Sequence, residues 1–367
     1  MELFLNKKDC FGCGVCEAAC SQGAISMQAD PEGFAYPVVK DALCIGCGRC
    51  KEVCPIGHME GVLPEHGMAF LSQRDDCRGS SSGGAFSAVV HCFWGEHPGA
   101  PVYGACLTSE MNVEHCCVRM PEELTKLQGS KYVQSDMKEV YPQILEQLER
   151  GEYVLFSGTP CQVAGLARLT GEYREHLLLV DLVCNGVGSP RAWKRYLELE
   201  AEQNGSAIVE FNFRNKRYFL GRGISSALSD GRVIQKSHPE DLFSVCYQRN
   251  LISRESCYHC PYTAMARVSD LTLGDFHGLE KVDPEFSNCG ASLVLAHTPK
   301  GRSYSKAITE QGKYKTYPLE SCRQPRLEYP TKKPPLRMLL LRDLCFLPTK
   351  TFLQKYQKIL FGGVSSD

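Results

Sequence analysis

No stretch of these 367 residues approaches the roughly 18 consecutive apolar positions of a membrane-spanning helix. The run Met338-Leu339-Leu340-Leu341 stops at Arg342 and Asp343, so no membrane span is expected. An excess of either charge is also missing. Lys and Arg number 41 against 42 Asp and Glu, for a formal net charge of −1, and no basic surplus argues for nucleic acid or an anionic membrane. The opening Met-Glu-Leu-Phe-Leu-Asn-Lys-Lys-Asp has no apolar segment of useful length for a secretory leader, and no low-complexity segment appears. What the chain has in excess is cysteine, 21 residues. An odd count in a mid-sized chain without a leader fits thiols kept reduced for metal, and hence a cytoplasmic location, better than a disulfide framework.

Composition divides the chain. Residues 1–60 are rich in cysteine and glycine and too short to fold on an apolar core without metal staples. Residues 61–80 read as a linker, with Gly61, Pro64 and Gly67 ahead of a polar stretch. Residues 81–320 carry the pattern of a mixed α/β domain, and 321–367 form a C-terminal tail that either covers the domain or meets a partner. The expected fold class is therefore α/β, a mixed sheet with flanking helices, preceded by a small bacterial-ferredoxin-like α+β domain. Helical spacing marks Ala85 to Phe93, residues 136–150 with Val140, Ile144, Leu145 and Leu148 on one face, and 190–203 behind a Ser189 cap. Apolar runs at 153–156 and 177–183 read as buried strands, each ending in a loop where ligands bind in such sheets.

One internal repeat stands out. Cys10, Cys13, Cys16 and Cys20 follow C-x2-C-x2-C-x3-C, and Cys44, Cys47, Cys50 and Cys54 repeat it with Pro55 directly after. This is the two-cluster ferredoxin pattern, in which three close thiolates grip one 4Fe–4S cube and the fourth ligates the other. The assignment is Cys10, Cys13, Cys16 and Cys54 to one cluster, Cys44, Cys47, Cys50 and Cys20 to the second. Ser21 stands where the first run would carry proline. Structural zinc is the competing reading, but zinc modules pair C-x2-C knuckles and do not use triple runs. Cys161 and Cys184 follow the two strands, and Cys257 and Cys260 form a further C-x2-C. From spacing alone these four are as consistent with packing as with a third cluster. The nine others, Cys77, Cys92, Cys106, Cys116, Cys117, Cys246, Cys289, Cys322 and Cys345, read as packing residues.

Six further segments resemble, in matching order, the beta subunit of coenzyme F-420 hydrogenases and dehydrogenases. They are Ser80-Ser81-Ser82-Gly83-Gly84-Ala85-Phe86, Gly129-Ser130-Lys131-Tyr132-Val133-Gln134-Ser135, Leu155-Phe156-Ser157-Gly158-Thr159-Pro160-Cys161-Gln162, Asp181-Leu182-Val183-Cys184-Asn185-Gly186, Ser256-Cys257-Tyr258-His259-Cys260 and Gly274-Asp275-Phe276. The resemblance implies an iron–sulfur flavoprotein oxidoreductase that binds FAD, with Cys161, Cys184, Cys257 and Cys260 on a third 4Fe–4S cluster near the flavin. It also implies a redox partner, ferredoxin or another subunit, and a small-molecule acceptor. An electron-relay subunit without its own substrate site is the alternative. A Ser/Gly turn opening a helix suits the FAD pyrophosphate, which makes Ser81, Ser82, Gly83 and Gly84 candidates. Lys131 could balance phosphate charge, and Gly158, Thr159 and Gln162 offer donors beside Cys161. Asn185 stands where the family often has His, and His277 where it often has Trp. His277 is a proton-donor candidate, with a structural histidine the commoner outcome.

Overall fold

The computed structural model describes residues 3–58, 60–75, 79–216, 223–287 and 290–361. Two short antiparallel strands, β1 (Ile25–Ala29) and β2 (Ala35–Val39), sit between two single-turn helices, α1 (Val15–Ala18) and α2 (Arg49–Glu52). Gly14 and Gly48 enter these helices at φ 82° and 78°, a backbone only glycine adopts freely. The symmetry of the module follows the cysteine repeat.

The chain then enters the large domain sooner than composition suggested. Within the expected 61–80 linker lies β3 (Gly67–Ser72), with Met68, Ala69 and Phe70 buried. Its short apolar core between glycine and polar residues hides a strand that is covered on both faces. There follow α3 (Ala85–Glu96), β4 (Val102–Leu107), β5 (Val113–Val118), α4 (Val140–Glu149), β6 (Val154–Gly158), α5 (Pro160–Leu169), β7 (Leu177–Leu182) and α6 (Pro190–Asn204). The Ser189 hydroxyl caps α6 by accepting from the Ala192 amide at 2.9 Å. Next come β8 (Ile208–Asn215), β9 (Gly223–Leu228), β10 (Val233–Ser237) and α7 (Leu242–Gln248), then β11 (Leu271–Asp275), α8 (Leu279–Val282), α9 (Pro284–Ser287), β12 (Ser292–Ala296), α10 (Pro299–Ala307) and β13 (Gly312–Tyr317).

Eight strands form one mixed sheet in the order β13-β3-β12-β11-β7-β6-β4-β5. Its centre, β11-β7-β6-β4, is parallel, and its margins are antiparallel. The central strands read as unbroken apolar runs because helices cover both faces: β6 is buried at all five positions and β7 at its first five. A separate antiparallel sheet, β10-β9-β8, packs with α6 and α7 around Trp193, Phe211, Phe213 and Phe243.

The last segment is no loose tail. Helices α11 (Arg337–Phe346) and α12 (Thr349–Phe361) bury Leu340, Leu341, Leu344, Phe352 and Tyr356 in that same core. Asp343 accepts from Lys355 and Tyr356 and ties the two helices together. Charged residues on their outer faces disguised the apolar stripe. No helix among the described residues is long and apolar enough to cross a membrane.

Candidate functional site

The ferredoxin-like thiols gather in the crossed arrangement. Cys20 shares a recess with Cys44, Cys47 and Cys50, floored by Ala24 and Ile25. Cys54 stands instead with Cys10 and Cys16: burial first, then the proximity of Cys10 and Cys54, pushes the Cys16 thiol up to about 12. The thiol of Cys13 is raised by burial and by Cys16, Cys161 and Cys10. Cys13 therefore feels both its own set and a thiol of the large domain.

Cys161 lies in the first turn of α5, directly behind β6; Cys184 follows β7; Cys257 and Cys260 lie in and just after a short 3-10 turn, Glu255–His259. All four line one recess at the carboxyl ends of the parallel strands, where open α/β sheets place ligands. Its empty space is about 610 Å³, the solvent-facing part included. Burial leads the upward shift of each thiol; neighbouring thiols add to it at Cys184, Cys257 and Cys260, which reach about 12, whereas the Thr159 hydroxyl and Arg254 oppose it at Cys161. Empty, the recess would hold four neutral thiols, and binding metal there releases protons. Among the described residues no three Cys, His, Asp or Glu side chains surround a single ion position.

The wall between this recess and the first thiolate set is short. Phe11 and Tyr262 meet edge-on at 5.6 Å, pack with Ala164 against Cys161 and Cys260, and the Tyr262 hydroxyl donates to the Pro55 carbonyl at 3.3 Å. Arg254, with 0% exposure, spans the remaining gap. Its Nε donates to the Cys10 carbonyl at 3.0 Å, Nη1 to Gln134 Oε1 at 3.0 Å and Nη2 to the Ala35 carbonyl at 2.9 Å, with Cys10 Sγ at 3.8 Å. Its guanidinium lies 4.2 Å from the Tyr36 ring centre. Gln134 Nε2 also donates to the Phe11 and Gly12 carbonyls at 3.1 and 3.2 Å. A Cβ on Gly12 would stand 2.5 Å from Arg254 Nη1, so glycine is needed for this approach. A second tie comes from α11: buried Arg337 makes a two-pronged pair with Glu32 at 2.9 and 2.7 Å and donates to the Ser253 carbonyl.

The eight flavin candidates divide. Thr159 and Gln162 line the thiolate recess and form a capping box for α5; Gln162 Nε2 donates to Ser135 Oγ at 3.0 Å. Gly158 ends β6 beneath them. Ser82 and Gly83 serve packing. The Ser82 hydroxyl donates to the Gly274 and Ala291 carbonyls, and a Cβ on Gly83 would stand 2.1 Å from the Phe70 carbonyl oxygen. Gly84 is the N-cap of α3, at φ 85°. Ser81 Oγ accepts from the Ser130 amide at 2.7 Å. Ser130 and Lys131 border a second cleft with Gly79, Gln128, Gly129 and Phe213, about 930 Å³ by the same measure. Lys131 Nζ donates to the Lys126 and Gln128 carbonyls, and burial lowers its ammonium to about 8. Segment 129–135 thus links the cleft at Ser130 to the recess at Gln134 and Ser135. His277 is exposed, lies outside both hollows, and offers only its backbone amide, to Gln324.

The site holds residues that spacing did not reveal. Arg254 sits three positions before Cys257, but only the fold shows that it crosses to Cys10. Arg326, from the supposed tail, donates to Asn185 Oδ1 at 2.6 Å and lines the recess with Thr331. Of the cysteines read as packing residues, Cys106, Cys246, Cys322 and Cys345 are buried, whereas Cys92, Cys116 and Cys117 are half-buried. Cys77 and Cys289 lie outside the described residues.

A two-cluster thiolate module locked onto a mixed α/β domain defines an iron–sulfur protein of the electron-transfer class. Residues 9–58 match the 4Fe–4S dicluster domain, and residues 151–321 match the family described as the C terminus of the coenzyme F420 hydrogenase/dehydrogenase beta subunit. The chain is 27% identical over 319 residues to a subunit of the F(420)H(2) dehydrogenase of Methanosarcina mazei, covering 82% of this chain and 83% of the relative. A solved chain from the F420-reducing [NiFe] hydrogenase complex of Methanosarcina barkeri, studied as a xenon derivative, aligns with TM-score 0.48 at 18% identity. That alignment covers 83% of this chain and 92% of the other.

Proposed function

We propose that the chain is an iron–sulfur flavoprotein oxidoreductase with three 4Fe–4S clusters and one FAD. One observation carries the reading: the Cys161, Cys184, Cys257 and Cys260 recess shares a wall with the first ferredoxin-like set, through Phe11, Tyr262 and Arg254. When bound, the clusters would pass single electrons and the flavin would pair them for hydride exchange with an organic acceptor.

The chain's own residues supply position and exclusion of water. Cys10, Cys13, Cys16 and Cys54 would hold one cluster, Cys20, Cys44, Cys47 and Cys50 another, and the four recess thiols the third. Arg254 and Gln134 fix the Cys10–Gly14 loop against the domain, so the spacing between the first and third sets is built in. Phe11 and Tyr262 keep that gap dry. Segment 129–135 connects the recess to the cleft at Ser130 and Lys131, where one ammonium would balance part of the phosphate charge of a dinucleotide. Gly84 heads α3 three residues after Ser81, whose bond to Ser130 borders the same cleft. The donor would be ferredoxin or a partner redox protein, and the direction of flow is open because such clusters span roughly −700 to +450 mV.

Iron, acid-labile sulfide and flavin counted per chain after anaerobic purification test the reading. About twelve irons, at four per cluster, and one FAD are expected. About eight irons remove the third cluster, and absence of flavin from fresh protein removes the flavoprotein reading. A relay without its own acceptor site is the second reading, favoured because the matched relative is itself named as part of a dehydrogenase complex. Turnover of a small acceptor by the isolated chain separates the two.

A further inference from the structure

Arg267 is 1% exposed, yet Nε, Nη1 and Nη2 all lack a hydrogen-bond partner. Only its backbone is engaged, pairing with Val62. A buried, unpaired guanidinium is among the most expensive groups a fold can carry, so an anion is missing from its surroundings. Asp181 feels its charge, but the two form no ion pair within 4 Å among the described residues, and Asp181 accepts instead from Thr272. Burial pushes the Asp181 carboxyl up to about 6, with Arg267 opposing. The other groups that feel the guanidinium are Cys184, Cys260 and His297. Both cysteines belong to the recess, and Val268, the residue after Arg267, packs together with Cys161 and Cys260 on the Phe11, Ala164 and Tyr262 cluster.

We propose that Arg267 is the resident counter-charge of the cluster held by Cys161, Cys184, Cys257 and Cys260, and that it raises that cluster's reduction potential above the value the cavity alone would give. The inference rests on the third-cluster reading. A 4Fe–4S cube on four thiolates carries net negative charge, and taking up one electron adds one more negative charge with no proton. A fixed, buried cation near the cluster would favour the reduced form, because little solvent screens it. The same cluster supplies the missing anion, which explains why the fold tolerates Arg267 in that place. None of the raised N-terminal thiols has Arg267 among its principal neighbours. The cation therefore acts selectively, drawing electrons inward to the third cluster.

The test is an EPR-monitored redox titration of the anaerobic full-length protein, using dithionite as the one-electron reductant. Wild type, Arg267→Gln and Arg267→Lys are compared, and the third-cluster signal is identified as the one absent from Cys184→Ser. In Arg267→Gln the equilibrium constant for reducing that cluster falls at least tenfold, about 59 mV for a one-electron couple, while the other two midpoints stay within threefold. Arg267→Lys keeps the wild-type midpoint within threefold. Should Arg267→Gln lose the cluster, retention of twelve irons and the wild-type midpoint by Arg267→Lys still supports the counter-charge. Loss of the cluster from both variants, an unmoved midpoint in Arg267→Gln, or equal shifts in all three clusters overturns it. Eight irons in the wild type overturns the third cluster itself, a different result from twelve irons with an unmoved midpoint.

Discussion

Replacing Arg254 by methionine isolates what locks the two cluster-bearing regions together. Methionine keeps most of the stem's packing and removes only the charged fork. The structure then leaves three acceptors without their donor: the Cys10 and Ala35 carbonyls and Gln134 Oε1, each now met at 2.9–3.0 Å. A hydrogen bond to a charged group contributes about 1.5–3 kcal/mol, and a stranded buried acceptor costs about 1–3 kcal/mol. Relief of burying the guanidinium offsets part of that sum, so a net loss of about 3–5 kcal/mol is expected, the range for breaking a buried charged network. Because two of the three acceptors lie in the N-terminal module and the third on segment 129–135, the loss is local. It opens the module away from the domain without unfolding the sheet. At about 1.4 kcal/mol per tenfold, amide exchange across residues 10–14 and 34–36 should accelerate at least a hundredfold in anaerobic holoprotein. The amides of β6 and β7 should exchange at the wild-type rate. Equal protection of residues 10–14 in both proteins would refute the claim that Arg254 holds the interface.

Cysteine-to-serine exchange reads the crossed ligation directly. Cys54→Ser should damage the cluster of Cys10, Cys13 and Cys16, and Cys20→Ser the one of Cys44, Cys47 and Cys50; EPR of the reduced variants decides, and a pattern following sequence order counts against the geometry. Arg337→Ala removes the pair with Glu32 and strands its carboxylate beside α11, an expected loss of about 2–4 kcal/mol, seen as faster proteolysis between residues 30 and 36; an unchanged nicking rate rejects the clamp. Acid should weaken the fold by a second route. His115 and His297 are buried neutral, their imidazoles lowered by burial to about 4. In the unfolded chain they protonate near 6.5. Their contribution is therefore complete above about pH 6.5 and lost as pH falls toward 4, up to about 3 kcal/mol per histidine at 1.36 kcal/mol per unit. Anaerobic urea midpoints at pH 7.5 and 5.5 check the sign, and a midpoint that holds or rises at pH 5.5 contradicts it.

What could be read ahead of the structure depended on whether the signal was local. The eight N-terminal cysteines were legible because three iron corners must be gripped from one loop, and that demand writes itself as fixed two-residue gaps. Helices α4 and α6 and strands β6 and β7 were legible for the same reason: periodicity and the Ser189 cap are properties of neighbouring residues. β3 was not, since six residues inside a Gly- and Pro-marked segment carry no sign of the partners that bury them. The C-terminal helices were missed because their apolar stripe is interrupted by Arg342, Asp343 and Lys355. Part of that charge is structural: Asp343 joins the helices internally, and Lys355, with a neighbouring tyrosine hydroxyl, holds its carboxyl down to about 2. The Ser/Gly turn misled in the opposite direction. It looked like a phosphate cradle, yet the Ser82 hydroxyl is taken up by the Gly274 and Ala291 carbonyls, and Gly83 allows a close approach of the backbone to the Phe70 carbonyl that a Cβ would block.

The arginines carry the part of the design that no spacing rule reaches. Arg254 and Arg267 stand thirteen positions apart and both act on thiols of the recess, but they solve opposite problems. Arg254 spends its donors on carbonyls of two separate regions, and its charge is dispersed over Tyr36 and a ring of acceptors. Arg267 has no acceptor at all among the described residues. A fold that needed only structural glue beside Cys184 would gain by placing a hydrocarbon there, since an unpaired buried cation is worse than an apolar side chain of like volume. Retaining a guanidinium without partners makes physical sense if its field has a recipient, and the proposed cluster on the recess thiolates would be one. The ferredoxin repeat thus marks where electrons would reside near the N-terminus, whereas the proposed counter-charge at Arg267 bears on where they would be drawn.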